Sequence, residues 1–93
     1  MPTFRDTPVD VVIDVRSKLE YWLGHIPGAL SIAVGRLPDA LLARSDVSRD
    51  ARIVVYCASG ARSARATAAL RDAGYRAVTD AGGMASARRD VRP

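Results

Sequence analysis

Apolar residues come in short runs separated by polar turns. Val11-Val12-Ile13 and Ile53-Val54-Val55-Tyr56 are unbroken β-branched and aromatic runs, the pattern of strands buried on both faces. Leu30-Ser31-Ile32-Ala33-Val34 alternates and predicts another short strand; Ala77-Val78-Thr79 predicts a last one. Between the strands the period becomes helical. Ser17 with Glu20 three residues on reads as a capping box for a short helix through Leu23, stopped by Gly24. Tyr21, Trp22 and Leu23 are then its core-packing payload. Leu37, Leu41 and Leu42 predict a helix over 36–44, with Pro38 in its first turn. Ala66, Ala69, Leu70 and Ala73 form one helical stripe and predict a helix over 62–73, ended by Gly74. Residues 85–89 predict a weak final helix. Residues 1–10 read as a loose leading segment, and 45–52 as a charged surface connection.

Strands alternating with helices predict an α/β fold, with a central parallel sheet and helices on both faces. Ligands of such sheets gather beyond the carboxyl ends of the strands, where Asp14 and Cys57 fall. Ninety-three residues predict a single domain with a modest core.

Charge and cysteine usage narrow the function classes. The net charge is +4, nearly all from arginine, but the arginines are scattered and aromatics are few. No basic stripe or stacking platform forms, so no nucleic-acid partner is expected. No apolar stretch reaches transmembrane length and residues 1–8 carry no signal-peptide pattern, so no membrane partner is expected. One cysteine cannot form an internal disulfide and favours a reducing, cytoplasmic location. One histidine and one cysteine without clustered partners do not make a metal site.

The chemistry concentrates at Cys57, at the end of a strand and before a helix N-terminus. Backbone N–H groups of Ala58, Ser59, Gly60, Ala61, Arg62 and Ser63 are expected to converge near the sulfur, aided by the helix dipole. That setting favours thiolate and cradles an anion. Ser59 and Ser63 add hydroxyls or cap the helix. Arg62 either binds an oxyanion of the substrate or pins the loop. Asp14 and Arg16 are expected as a strand-end pair bracing the site. His25, within Gly24-His25-Ile26-Pro27-Gly28, is expected to anchor its turn through a backbone hydrogen bond rather than to carry protons.

Three ordered motifs carry a family resemblance. They are Val12-Ile13-Asp14-Val15-Arg16, Gly24-His25-Ile26-Pro27-Gly28-Ala29, and the loop with Cys57, Gly60, Arg62 and Ser63. Gly74-Tyr75 and Gly82-Gly83-Met84 extend the match, which runs from about Val11 to Met84. Together they resemble the rhodanese-like domain family and its single-domain sulfurtransferases. The resemblance implies a three-layer α/β domain, here abbreviated at the N-terminal edge because only residues 1–10 precede the Asp-x-Arg strand. It also implies that Cys57 takes a sulfane sulfur from a small anionic donor such as thiosulfate and holds it as a persulfide. The sulfur then passes to a thiol or cyanide acceptor, or to a protein acceptor, with no cofactor. Ala58 stands where the family often has a basic residue, and no tryptophan follows Gly82-Gly83. Two alternatives stay open. One is a non-catalytic docking or regulatory module. The other is a cysteine phosphatase or arsenate reductase, disfavoured because four residues rather than five separate Cys57 from Arg62 and none is a carboxylate.

Overall fold

The computed structural model describes residues 1–93. In chain order the elements are β1 Thr3–Phe4, β2 Thr7–Pro8, β3 Val11–Asp14, α1 Lys18–Leu23, β4 Leu30–Ser31, a 3-10 turn Val34–Arg36, α2 Asp39–Leu42, β5 Arg52–Tyr56, α3 Ala61–Asp72, β6 Ala77–Asp80, α4 Met84–Asp90 and β7 Val91–Arg92.

The central sheet is parallel throughout, in the order β4-β3-β5-β6. Ile13 lies beside Val55 and Asp14 beside Tyr56, so β3 and β5 end level with each other. Side chains alternate between two cores. Ile13, Ile53 and Val55 pack with Ala66 and Leu70 of α3 and Leu41 of α2. Val12, Val54 and Tyr56 pack with Ile26, Ala29, Ala87 of α4 and Val91. Burial on both faces is why these strands read as unbroken apolar runs. No helix is long and apolar enough to cross a membrane.

Several expectations change. The leading segment is not loose: β1 and β2 form a hairpin, and β7 pairs with β1 to complete a three-stranded antiparallel sheet. Arg5 and Asp6 turn the hairpin with positive φ, and the Arg5 amide donates to the Asp90 carbonyl at 2.8 Å. Two-residue strands are too short to show a sequence period.

Helix α1 has the predicted bounds but not the predicted burial. Leu19, Trp22 and Leu23 are 65, 77 and 71% exposed, and only Tyr21 packs against the core. A six-residue helix has room to turn one position per turn inward. The predicted helix over 36–44 shrinks to the 3-10 turn plus α2, with Pro38 at the N-cap and Leu41 as its one buried residue. The strand predicted over 30–34 keeps only Leu30–Ser31. In α3 the buried stripe is Ser63, Ala66, Thr67 and Leu70, with Ala69 and Ala73 half-buried. The helix is rotated so that Ser63 and Thr67 face inward, and each finds a hydrogen bond there.

Candidate active site

Strand β5 delivers Cys57 to the carboxyl edge of the sheet, and α3 opens four residues later at Ala61. The turn between them needs Gly60 at φ +107°, a left-handed conformation that glycine adopts without strain. This turn brings the Gly60 and Ser63 amides onto Cys57 Sγ, at 3.0 and 3.3 Å. The Ser63 hydroxyl lies 3.5 Å from the same sulfur and donates to the Gly60 carbonyl at 3.0 Å. Burial pushes the Cys57 thiol up. Hydrogen bonding with the Ser63 hydroxyl and from the Ser63 and Gly60 amides outweighs burial and brings it below the ordinary thiol value.

Two details depart from expectation. The amides that bond the sulfur are those of Gly60 and Ser63, not the whole run from Ala58 to Ser63. The Ala61 and Arg62 amides are the first two of α3, which have no acceptor within a helix. In addition, Cys57 is 1% exposed, so its sulfur lies beneath the loop floor rather than open at it. The loop residues next to it, Ala58 and Ser59, are small and exposed.

The loop is clasped from α4. The Cys57 amide donates to the Gly82 carbonyl at 3.0 Å, and the Met84 amide donates to the Ala58 carbonyl at 3.1 Å. A Cβ on Gly83 would stand 2.7 Å from that same carbonyl oxygen, so only glycine allows the approach. Sequence reasoning gives Gly82 and Gly83 no part in the site; the adjacent glycine pair is the signal that points to such a close approach.

Arg62 is engaged by Glu20. Its Nη1 and Nη2 donate to Glu20 Oε1 and Oε2 at 2.7 and 3.0 Å. The capping box holds that carboxylate in place: the Ser17 amide donates to Oε1 at 3.1 Å, and the Glu20 amide donates to Ser17 Oγ at 3.2 Å. Hydrogen bonding to Arg62 brings the Glu20 carboxyl down to about 2, and the same pairing raises Arg62. The pairing joins the first turn of α3 to α1. The capping box alone explains Glu20 in the sequence, so its contact with Arg62 is visible only in the fold.

Asp14 and Arg16 form a buried pair. Arg16 Nε donates to both carboxylate oxygens at 3.1 Å, Nη2 donates to Oδ2 at 2.8 Å, and the Arg16 amide donates to Oδ1 at 2.9 Å. Arg16 Nη2 also reaches the Gly24 carbonyl at 2.6 Å. The pair therefore ties strand β3 to the turn after α1, not to the cysteine loop. The Ile26 amide donates to the Tyr56 hydroxyl at 3.0 Å and ties that turn to β5. His25 belongs to the same turn. Its Nδ1 lies 2.8 Å from the Tyr21 carbonyl and its ring stacks on Tyr21 at 3.6 Å. The largest cavity, about 450 Å3 and lined by Phe4, Arg52, Arg71 and Val78 among others, lies toward the amino ends of β5 and β6 and includes none of these groups.

Comparisons with known proteins point the same way. The rhodanese-like domain family matches residues 3–88. The chain is 37% identical over 70 residues to a sulfurtransferase of Allochromatium vinosum, covering 75% of this chain and 63% of that protein. It is also 37% identical over 76 residues to the tRNA uridine(34) hydroxylase of Erwinia tasmaniensis, covering 78% of this chain and 22% of that protein. The chain thus spans less than two thirds of either relative. The rhodanese-like domain of the Alr3790 protein from Anabaena sp. superposes with a TM-score of 0.77 at 29% identity, covering 92% of this chain and 89% of that one. The human single-domain sulfurtransferase TSTD1 superposes with a TM-score of 0.73 at 30% identity, covering 85% and 80%. The match runs through nearly the whole sequence, and the fold that carries Cys57 to the head of α3 is shared: the chain belongs to the rhodanese-like domain family.

Proposed function

We propose that this protein is a sulfurtransferase that works through a persulfide on Cys57. One observation carries the reading: Cys57 Sγ accepts hydrogen bonds from two backbone amides at the start of α3, with its pKa lowered in consequence. Those donors favour the thiolate, the reactive form of the residue. The thiolate attacks the outer sulfur of a donor R–S–S or of thiosulfate. A new Sγ–S bond forms, the donor's S–S bond breaks, and its electron pair leaves on the thiolate or on sulfite. A thiol or cyanide acceptor, or a thiol of a protein, then attacks the outer sulfur of the persulfide and regenerates the Cys57 thiolate. The Ala61 and Arg62 amides, unused within the helix, are donors for the extra sulfur. The printed name of the Allochromatium vinosum relative supports sulfur transfer. A single free cysteine suits a reducing compartment.

Intact-mass measurement after incubation with sulfur donors tests this. Addition of about 32 Da at Cys57, one sulfur atom retained covalently and removed by cyanide, is the expected result. Protein that stays unlabelled with thiosulfate and with organic persulfides alike overturns the reading.

A further inference from the structure

The charge balance at the cysteine loop addresses which donor the site takes, a deepening that rests on the sulfurtransferase reading. Within residues 57–63 the one charged side chain is Arg62. It adjoins Ser63, whose amide and hydroxyl meet the sulfur. Both of its terminal nitrogens are taken by Glu20, at 2.7 and 3.0 Å. Glu20 is itself anchored by Ser17 at the start of α1, so the carboxylate does not swing away with the arginine. Arg16 is buried against Asp14 and the Gly24 carbonyl. Ala58 contributes no charge.

We propose that Glu20 is a specificity-determining residue: by occupying Arg62 it turns the site away from dianionic donors such as thiosulfate and toward persulfides whose organic body is uncharged. A dianion at this mouth meets the amide dipoles and a guanidinium whose charge a fixed carboxylate already offsets. A persulfide of an uncharged thiol brings no second charge to place. It needs the amides at its reacting sulfur and releases a single thiolate. The chain's overall +4 attracts any anion at a distance but does not discriminate at the cup, because exposed charges beyond about 10 Å are screened at ordinary salt.

The test compares thiosulfate with 2-mercaptoethanol persulfide as donors, reading kcat/KM for Cys57-dependent transfer to cyanide. In the wild-type protein the persulfide is expected to be the better donor by at least about tenfold, the scale of one charge-assisted contact. Glu20→Gln removes the opposing charge while keeping the side chain's length. It is expected to raise the thiosulfate-to-persulfide ratio about tenfold, and Glu20→Gln/Arg62→Ala to cancel that rise. A merely structural role for Glu20 would lower both donors together and leave the ratio still. A wild-type preference for thiosulfate, or an unmoved ratio in Glu20→Gln, overturns the inference while sulfur transfer stands. No transfer from either donor overturns the sulfurtransferase reading itself, and this inference with it.

Discussion

Replacing Gly83 with alanine puts a methyl group where the backbone of the cysteine loop already stands. Its Cβ would lie 2.7 Å from the Ala58 carbonyl oxygen, 3.1 Å from Ser59 Cα and 3.3 Å from the Ala58 carbonyl carbon. None of these is the end of a flexible side chain, so the loop or α4 must shift. Either shift pulls on the Met84 amide to Ala58 carbonyl bond at 3.1 Å and the Cys57 amide to Gly82 carbonyl bond at 3.0 Å. Overpacking of this kind costs about 1–3 kcal/mol, which lowers Tm by roughly 4–24 °C in a domain of this size. The chemical consequence follows from the same shift. Loosened amides hold the thiolate less well while the sulfur stays buried, so the apparent pKa of Cys57 rises. Thermal denaturation gives the first quantity, and thiolate ultraviolet absorbance or alkylation rate against pH gives the second. Gly35→Ala is the control: nothing lies within 4 Å of its Cβ, and it is expected to stay within about 0.5 kcal/mol of wild type. A Gly83→Ala protein with unchanged Tm and unchanged Cys57 titration would refute the clasp.

Three further outcomes are expected. Cys57→Ala abolishes sulfur labelling and leaves a small void under the loop, costing about 1 kcal/mol in chemical denaturation; transfer surviving in this variant would remove Cys57 from the chemistry. Asp14→Ala leaves the Arg16 guanidinium buried and unpaired, and a loss of about 3 kcal/mol or more is expected from urea titration; a loss under about 1 kcal/mol would contradict the pairing. Glu20 has its folded pKa depressed from 4.5 to about 2, so its contribution is complete above pH 4.5 and is lost as pH falls toward 2. The pair is one-third exposed, so screening reduces that contribution to about 1 kcal/mol, and Glu20→Gln should flatten this part of the stability profile; an equal slope in both proteins would show that Glu20 does not carry it.

What the sequence made legible follows from how each element is buried. Val11-Val12-Ile13 and Ile53-Val54-Val55 were readable because both faces of the sheet are covered, which leaves the runs unbroken. The strand-turn-helix around Cys57 was readable because a thiol, small residues and an alanine-rich helix follow one another directly. Helix α1 was read with the wrong face count: Trp22 and Leu23 are apolar, but the capping box and Gly24 stop the helix after six residues, and only Tyr21 turns inward. The hairpin of β1 and β2 was invisible because β7, its partner, lies at the far end of the chain. At the site, the contacts that decide behaviour are distant in sequence. Glu20 meets Arg62 across 42 residues, and Gly82 meets Ser63 across 19. Each of these residues already had a sufficient local explanation, as a cap, a turn or a helix start, and so gave no reason to look for a second contact.

The thiol's environment shows why such distant contacts matter for chemistry. Burial alone would leave Cys57 protonated and inert, the ordinary fate of a lone core cysteine. The amides of Gly60 and Ser63 reverse that outcome, but they do so only while the loop keeps its shape. Three constraints keep it: glycine at positive φ in the turn, the Gly82-Gly83 clasp against the Cys57–Ser59 backbone, and Ser63 tied at both ends. The Ser63 hydroxyl donates to the Gly60 carbonyl at 3.0 Å, while its own carbonyl accepts from Thr67 Oγ1 at 2.8 Å. A hydroxyl has one proton. While that proton goes to Gly60, the thiol S–H is free to donate to Ser63 Oγ; once the sulfur is ionised, the hydroxyl can turn its proton toward the sulfur 3.5 Å away. Ser63 thus has a hydrogen bond to offer in either protonation state of the thiol. A sulfur below the surface is then an advantage, because the anion formed on it faces fixed amide and hydroxyl dipoles rather than bulk water.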